Sequence, residues 1–140
     1  MATAGYSGTP LPTKLGIKPE AKVLLVAAPE GFERELEPLA FGVRLGRRTQ
    51  GGPFDVIVLF VDRLADLKRR LPGLARHLVP NGGLWIGYPK KSSGVATDLN
   101  FDNVQREGLT LGLVDNKVCA IDETWTGLRF VIRLENRPKG

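Results

Sequence analysis

One cysteine, one histidine and one methionine stand among 140 residues, and two tryptophans, two tyrosines and six phenylalanines make up all the aromatics. A lone Cys119 excludes a disulfide framework within the chain. With only His77 beside it, these residues cannot assemble a zinc site by themselves. Long apolar runs are also lacking. Residues 23–29 and 56–61 form the longest, far short of the roughly 20 residues a membrane helix needs. The opening MATAGYSGTP has no basic stretch followed by an apolar one, so no secretory signal and a cytoplasmic location are expected. What is there reads as globular. Hydrophobic residues make up 42% and charged residues 25%, which excludes wholesale disorder. At this length one domain, 1–140, buries about two-thirds of its unfolded surface without cross-links.

Charge is distributed unevenly. There are 20 Lys and Arg against 15 Asp and Glu, a net +5. Residues 1–40 carry 4 basic and 5 acidic groups, residues 41–91 carry 10 and 3, and residues 92–140 carry 6 and 7. The middle segment, at +7, holds more than the whole excess. Such a field attracts an anionic partner, although a solvated helix face has the same composition.

Along the chain, residues 1–10 read as an arm and 11–17 as a helical turn or two. KVLLVA (22–27) reads as a buried parallel strand. Phe32, Leu36 and Leu39 share a helix face, with Glu30, Glu33, Glu35 and Glu37 around it. Residues 43–45 suggest a short strand running into Arg47 and Arg48. DVIVLFV (55–61) is the strongest strand. Asp62 is a candidate cap for a helix bearing Leu64, Leu67, Leu71, Leu74 and Leu78, in which Pro72 predicts a kink or a break. Asn81-Gly82-Gly83 reads as a turn before the strand LWIGY (84–88), and 90–99 as a loop. Asn100 caps a helix that Gly108 is expected to end. Residues 113–121 and 128–134 form a closing strand pair, with an edge bulge expected at Asp115, Asn116 and Lys117, and 135–140 is a tail. Alternating strands and helices predict an α/β, three-layer, Rossmann-like fold: a mostly parallel sheet with a terminal antiparallel strand pair.

Two resemblances follow. LGIKPEAKVLLVAAPEGF is similar to the first strand region of class I S-adenosylmethionine-dependent methyltransferases. FDVIVLFVDRLADLKRRLPGLARHLVPNGGLWIGYPK resembles their central strand, helix, Gly-Gly turn and next strand, and LGLVDNKVCAIDETWTGLRFVIRL their closing antiparallel pair. YSGTPL, KLGIKP, PKKSSGVATDL and DNKVCAIDETWTGLRFVIR, from Tyr6 to Arg133, resemble a small bacterial family known as a domain of unknown function. The first resemblance implies a degenerate methyltransferase-like scaffold. Methyltransferases follow the first strand with a Gly-rich turn and end the second in a carboxylate. Here Ala27-Ala28-Pro29-Glu30-Gly31 and Arg47-Arg48 stand instead, so no cofactor is expected and S-adenosylmethionine in the usual pose is disfavoured.

On that scaffold the carboxyl edge of the sheet would carry Arg47, Arg48, Arg63, Lys90, Lys91, Ser92, Ser93, Gly94 and Trp125. Together they suggest an anion site with a stacking face; ordinary loop solvation is the alternative. Cys119 reads as a small strand hydrophobe and His77 as a helix residue without a nucleophile to serve. Asp122 and Glu123 form an adjacent pair with weak claims to acid–base or magnesium chemistry. Three readings stand: a small binding or regulatory module for an anionic ligand or acidic protein, without catalysis; a divergent methyltransferase-like enzyme; and a nucleic-acid binder, for which no motif is present.

Overall fold

Apolar runs that alternate onto two faces build the sheet. The computed structural model describes residues 8–137. In β1 (Lys22–Val26), Val23 and Leu25 face one side and Leu24 the other, and all three are buried. β3 (Phe54–Phe60) divides in the same way, Val56, Val58 and Phe60 against Ile57 and Leu59. A sheet that is apolar on both faces needs cover on both. α1 (Leu11–Lys14) and the single turn α2 (Phe32–Glu35) cover one face through Leu11, Phe32 and the flanking Leu15 and Leu36. α3 (Leu64–Ala75) and α4 (Phe101–Thr110) cover the other through Leu67, Leu71 and Val104. From within the first core, Trp85 Nε1 donates to the Leu15 carbonyl at 3.0 Å and fixes the end of α1 to the sheet.

The remaining strands are β2 (Arg44–Gly46), β4 (Leu78–Pro89), β5 (Leu113–Ala120) and β6 (Trp125–Ile132). The order is β2-β1-β3-β4-β6-β5, with β1 to β4 parallel and β6 antiparallel to both β4 and β5. The expected mixed α/β, Rossmann-like fold is therefore the one observed. The chain leaves β1 for β2 on one side and then crosses back to β3 on the other. That reversal puts a topological switch between β1 and β3, the place where open α/β sheets take ligands at their carboxyl ends.

Several local expectations change. α3 runs unbroken through Pro72, because Leu67, Leu71 and Leu74 hold it on the sheet on both sides of the missing N–H. Its first amide, Leu64 N–H, donates to the Asp98 carboxylate at 2.7 Å rather than to Asp62. Asn81-Gly82-Gly83 lies inside β4. The pairing jumps from Phe54–Leu78 to Val56–Gly83, and the bare backbone at Gly83 is covered by the Arg129 guanidinium. The expected Asn100 cap is there and is reciprocal with Asn103, but Gly108 is a packing position within α4. A Cβ on Gly108 would fall 2.1 Å from Phe130 Cε1. The β5 register shifts between Asp115 and Lys117, the expected edge bulge. The arm falls mostly, and the tail partly, outside the described residues. Among the described residues no helix is long and apolar enough to cross a membrane.

Candidate functional site

The strand order lines up the carboxyl ends of β1 to β4. β1 delivers the turn Ala27–Gly31, β2 delivers Arg47 and Arg48, β3 delivers Asp62 and Arg63, and β4 delivers Lys90 with the 3₁₀ turn Lys91–Ser93 and Gly94. The turn ahead of β6 adds Asp122, and β6 begins there with Trp125. The edge does not gather the basic groups at one point. β2 lies three strand spacings from β4, about 14 Å, so Arg47 and Lys90 stand well apart. Lys90 does meet the β5–β6 turn: its N–H donates to the Thr124 carbonyl at 2.8 Å. Ser93 Oγ donates to the Lys90 carbonyl at 2.7 Å and accepts from Val95 N–H at 3.1 Å, which occupies it inside its own loop. Trp125 packs inward. Its ring sits edge-on to Phe60 at 5.1 Å, and Phe60 sits edge-on to the fully buried Phe32 at 4.8 Å, making an aromatic floor below the β3 end.

α2 is clamped across this edge by pairings that the sequence pattern did not disclose. Glu33 forms an ion pair with Arg47. Glu35 hydrogen-bonds Asp122, whose carboxylate also accepts from Thr124 N–H at 2.8 Å and Trp125 N–H at 2.9 Å. Loss of water around the Glu35 carboxyl, then the negative charge of Asp122 and the hydrogen bond to it, push Glu35 up to about 7. The residue as a whole stays exposed; only its carboxyl end is crowded. No spacing rule brings a helix glutamate to a hairpin turn almost ninety positions away. Burial pushes the Cys119 thiol up, the reverse of what a nucleophile needs.

The β1 turn is the other feature the sequence did not disclose. Ala27 has φ of +57°, the left-handed region that a non-glycine residue enters only at a cost. Among the described residues, the amides of Ala28, Glu30 and Gly31 donate to no acceptor. The end of β1 thus combines a tight left-handed turn, a small side chain and free N–H donors.

No family model and no curated protein matches the chain. Solved structures do. A SAM-dependent methyltransferase from Aquifex aeolicus superposes with a TM-score of 0.62 at 14% identity, covering 86% of this chain and 87% of that one. Ribosomal protein L11 methylase from Lactobacillus delbrueckii subsp. bulgaricus gives 0.58 at 14% identity, covering 84% and 72%. Magnesium protoporphyrin IX methyltransferase from Synechocystis, with bound SAM, gives 0.57 at 9% identity, covering 88% and 74%, and it is also solved with SAH.

The scaffold is methyltransferase-like. This corrects the expectation of no cofactor: the same fold holds SAM and SAH in its neighbours. The physical reason is Ala27. A turn poor in glycine is expected to disfavour close backbone approach and amide donation to a cofactor, yet Ala27 takes the left-handed conformation and the amides of Ala28, Glu30 and Gly31 stay free. The residues here fit an adenosyl ligand at this turn. The end of β2 supplies no carboxylate, but Glu33, held there by Arg47, supplies one from the neighbouring helix.

Proposed function

We propose that the chain is a divergent methyltransferase-fold protein that takes S-adenosylmethionine or S-adenosylhomocysteine over the β1–β3 switch point. The observation that carries this reading is the left-handed Ala27 at the end of β1. Such a conformation costs roughly 1 kcal/mol, and strain of this kind tends to persist where a ligand site needs it. The free amides of Ala28, Glu30 and Gly31 suit the polar groups of such a ligand, and the Glu33 carboxylate, already paired with Arg47, supports the reading as an acceptor for ribose hydroxyls. When bound, S-adenosylmethionine supplies a methyl group on a positively charged sulfur, open to attack by a nucleophile.

The chain's own residues would orient the acceptor and handle its proton. Glu35, pushed up to about 7 beside Asp122, is able to hold a proton near neutral pH at the carboxyl edge. Arg48, Arg63, Lys90 and Lys91 are free of ion pairs among the described residues. With Ser92 and the Gly94 turn, they favour an acceptor that carries negative charge, a small anion or an acidic protein surface. Calorimetric titration with each adenosyl compound tests the reading. Saturable heat is expected, weakened by Ala27→Val and by Glu33→Ala in variants whose circular dichroism is unchanged. No heat with either compound up to millimolar concentration overturns it.

A further inference from the structure

A cavity opens on the α3 face of the sheet, beside the end of β1. The crossing from β3 to β4 is covered by α3 and that from β4 to β5 by α4, but the crossing from β2 to β3 has only residues 47–53 and no helix. The face of β1 next to β2 is therefore thinly roofed. A cavity of about 350 Å³ opens there, floored by Leu24 and Val26 and walled by Leu74, Arg70, Arg47 and His77. Its volume is at the lower end for small-molecule sites.

The lining is chemically one-sided. Three nitrogen bases border the apolar floor, and no carboxylate lines the cavity. Arg70 is half-buried and makes no hydrogen bond or ion pair among the described residues. His77 Nδ1 lies 2.8 Å from the Gly73 carbonyl, which can only accept, so Nδ1 carries the hydrogen and Nε2 is left for another partner. Arg47 is held at the rim by Glu33. Gly73 keeps the α3 wall open, since a Cβ there would meet only Arg76 Nη2 at 3.9 Å.

We infer that this cavity is a binding site for a small apolar ring bearing one carboxylate, sulfonate or phosphate. The ring lies on Leu24 and Val26, and the anion faces Arg70 and His77. This site adjoins the adenosyl site of the preceding reading at Val26 and Arg47, but Arg70 and His77, which face the anion, take no part in that reading. Asp66, one turn earlier, attracts Arg70 but is ion-paired with Arg69, and a guanidinium without an ion pair of its own on an apolar floor discriminates for charge because the pairing forms partly out of water.

The test uses the full chain in amide-resolved NMR titrations with naphthoate and with its neutral amide, naphthamide. Naphthoate is expected to bind saturably, shifting the amides of Val26, Thr49, Gly73 and His77, about tenfold more tightly than naphthamide. Arg70→Gln should weaken naphthoate by about tenfold and leave naphthamide unchanged. Gly73→Phe should block both ligands while preserving the fold, since phenylalanine is the better helix former. S-adenosylhomocysteine should leave naphthoate binding unchanged. The inference is overturned by absent binding at millimolar concentration, by equal affinity of the two ligands, by shifts that map elsewhere, by a folded Arg70→Gln with unaltered affinity, or by displacement with S-adenosylhomocysteine. Failure of the adenosyl titration alone leaves this site standing.

Discussion

The two halves of the sheet are built differently. In β4, every residue from Gly82 to Pro89 is buried, and the strand is paired on both sides. Beside it, Phe130 of β6 is fully buried with Gly108 of α4 pressed against its ring. The β2 margin has three residues, none fully buried, held to β1 at three register positions, and its crossing has no helix. Arg47 and the cavity beside Arg70 lie at this thin margin, and the left-handed Ala27 ends the strand next to it. Stability is concentrated where the sheet is thick, and the margin is free to carry groups chosen for chemistry.

That contrast can be broken or sharpened by substitution. Gly108→Ala should lower stability by about 3 kcal/mol in a denaturant melt, because Phe130 fills the space a methyl would need. An unchanged midpoint would place α4 farther from β6 than described. Trp85→Phe should cost about 2 kcal/mol, from the lost bond to the Leu15 carbonyl and the smaller ring. At the margin, Leu45→Ala should cost only about 1 kcal/mol, since the residue is half-buried. A loss equal to that of Trp85→Phe would erase the distinction between the halves.

Two smaller effects concern the edge. Glu35 is raised above its ordinary 4.5 to about 7, so the folded chain binds that proton more tightly than the unfolded chain. Stability is then fully kept below about pH 4.5 and is lost as pH rises through about 7. Glu35→Gln should flatten that decline and gain under about 1 kcal/mol at pH 8, the figure discounted for solvent screening. A melt series in which both proteins decline in parallel refutes the clamp to Asp122. Ala27→Gly should stabilise by roughly 0.5 kcal/mol, as the left-handed conformation no longer crowds a Cβ. A loss of stability there would mean that the turn is not left-handed in solution.

The strands were legible because DVIVLFV and LWIGY are apolar on both faces, a pattern few other settings tolerate. Punctuation by proline and glycine misled. Pro72, Gly82, Gly83 and Gly108 look like breaks, but the first is overridden by the leucine stripe and the last three mark close approach of a neighbour. The list of edge residues was readable from strand order, but their partners were not. Glu33 on Arg47 and Glu35 on Asp122 depend on where a single helical turn crosses the sheet, which no local periodicity encodes. The left-handed turn was missed for the same reason: a backbone angle imposed by the surrounding fold leaves no trace in the letter A.

The segment after β4 is fastened at both ends. Lys90 N–H is tied to the Thr124 carbonyl, while Thr97 Oγ1 donates to the Asp62 carbonyl and Asp98 receives the first amide of α3. Between these knots, Lys91, Ser92 and Gly94 to Ala96 are exposed and bear no part of the core. Such a loop resembles an interchangeable tool head on a fixed shaft. Its tip can be rewritten in length or chemistry with little penalty to the framework, and selection could retune what the protein grasps without having to refold it.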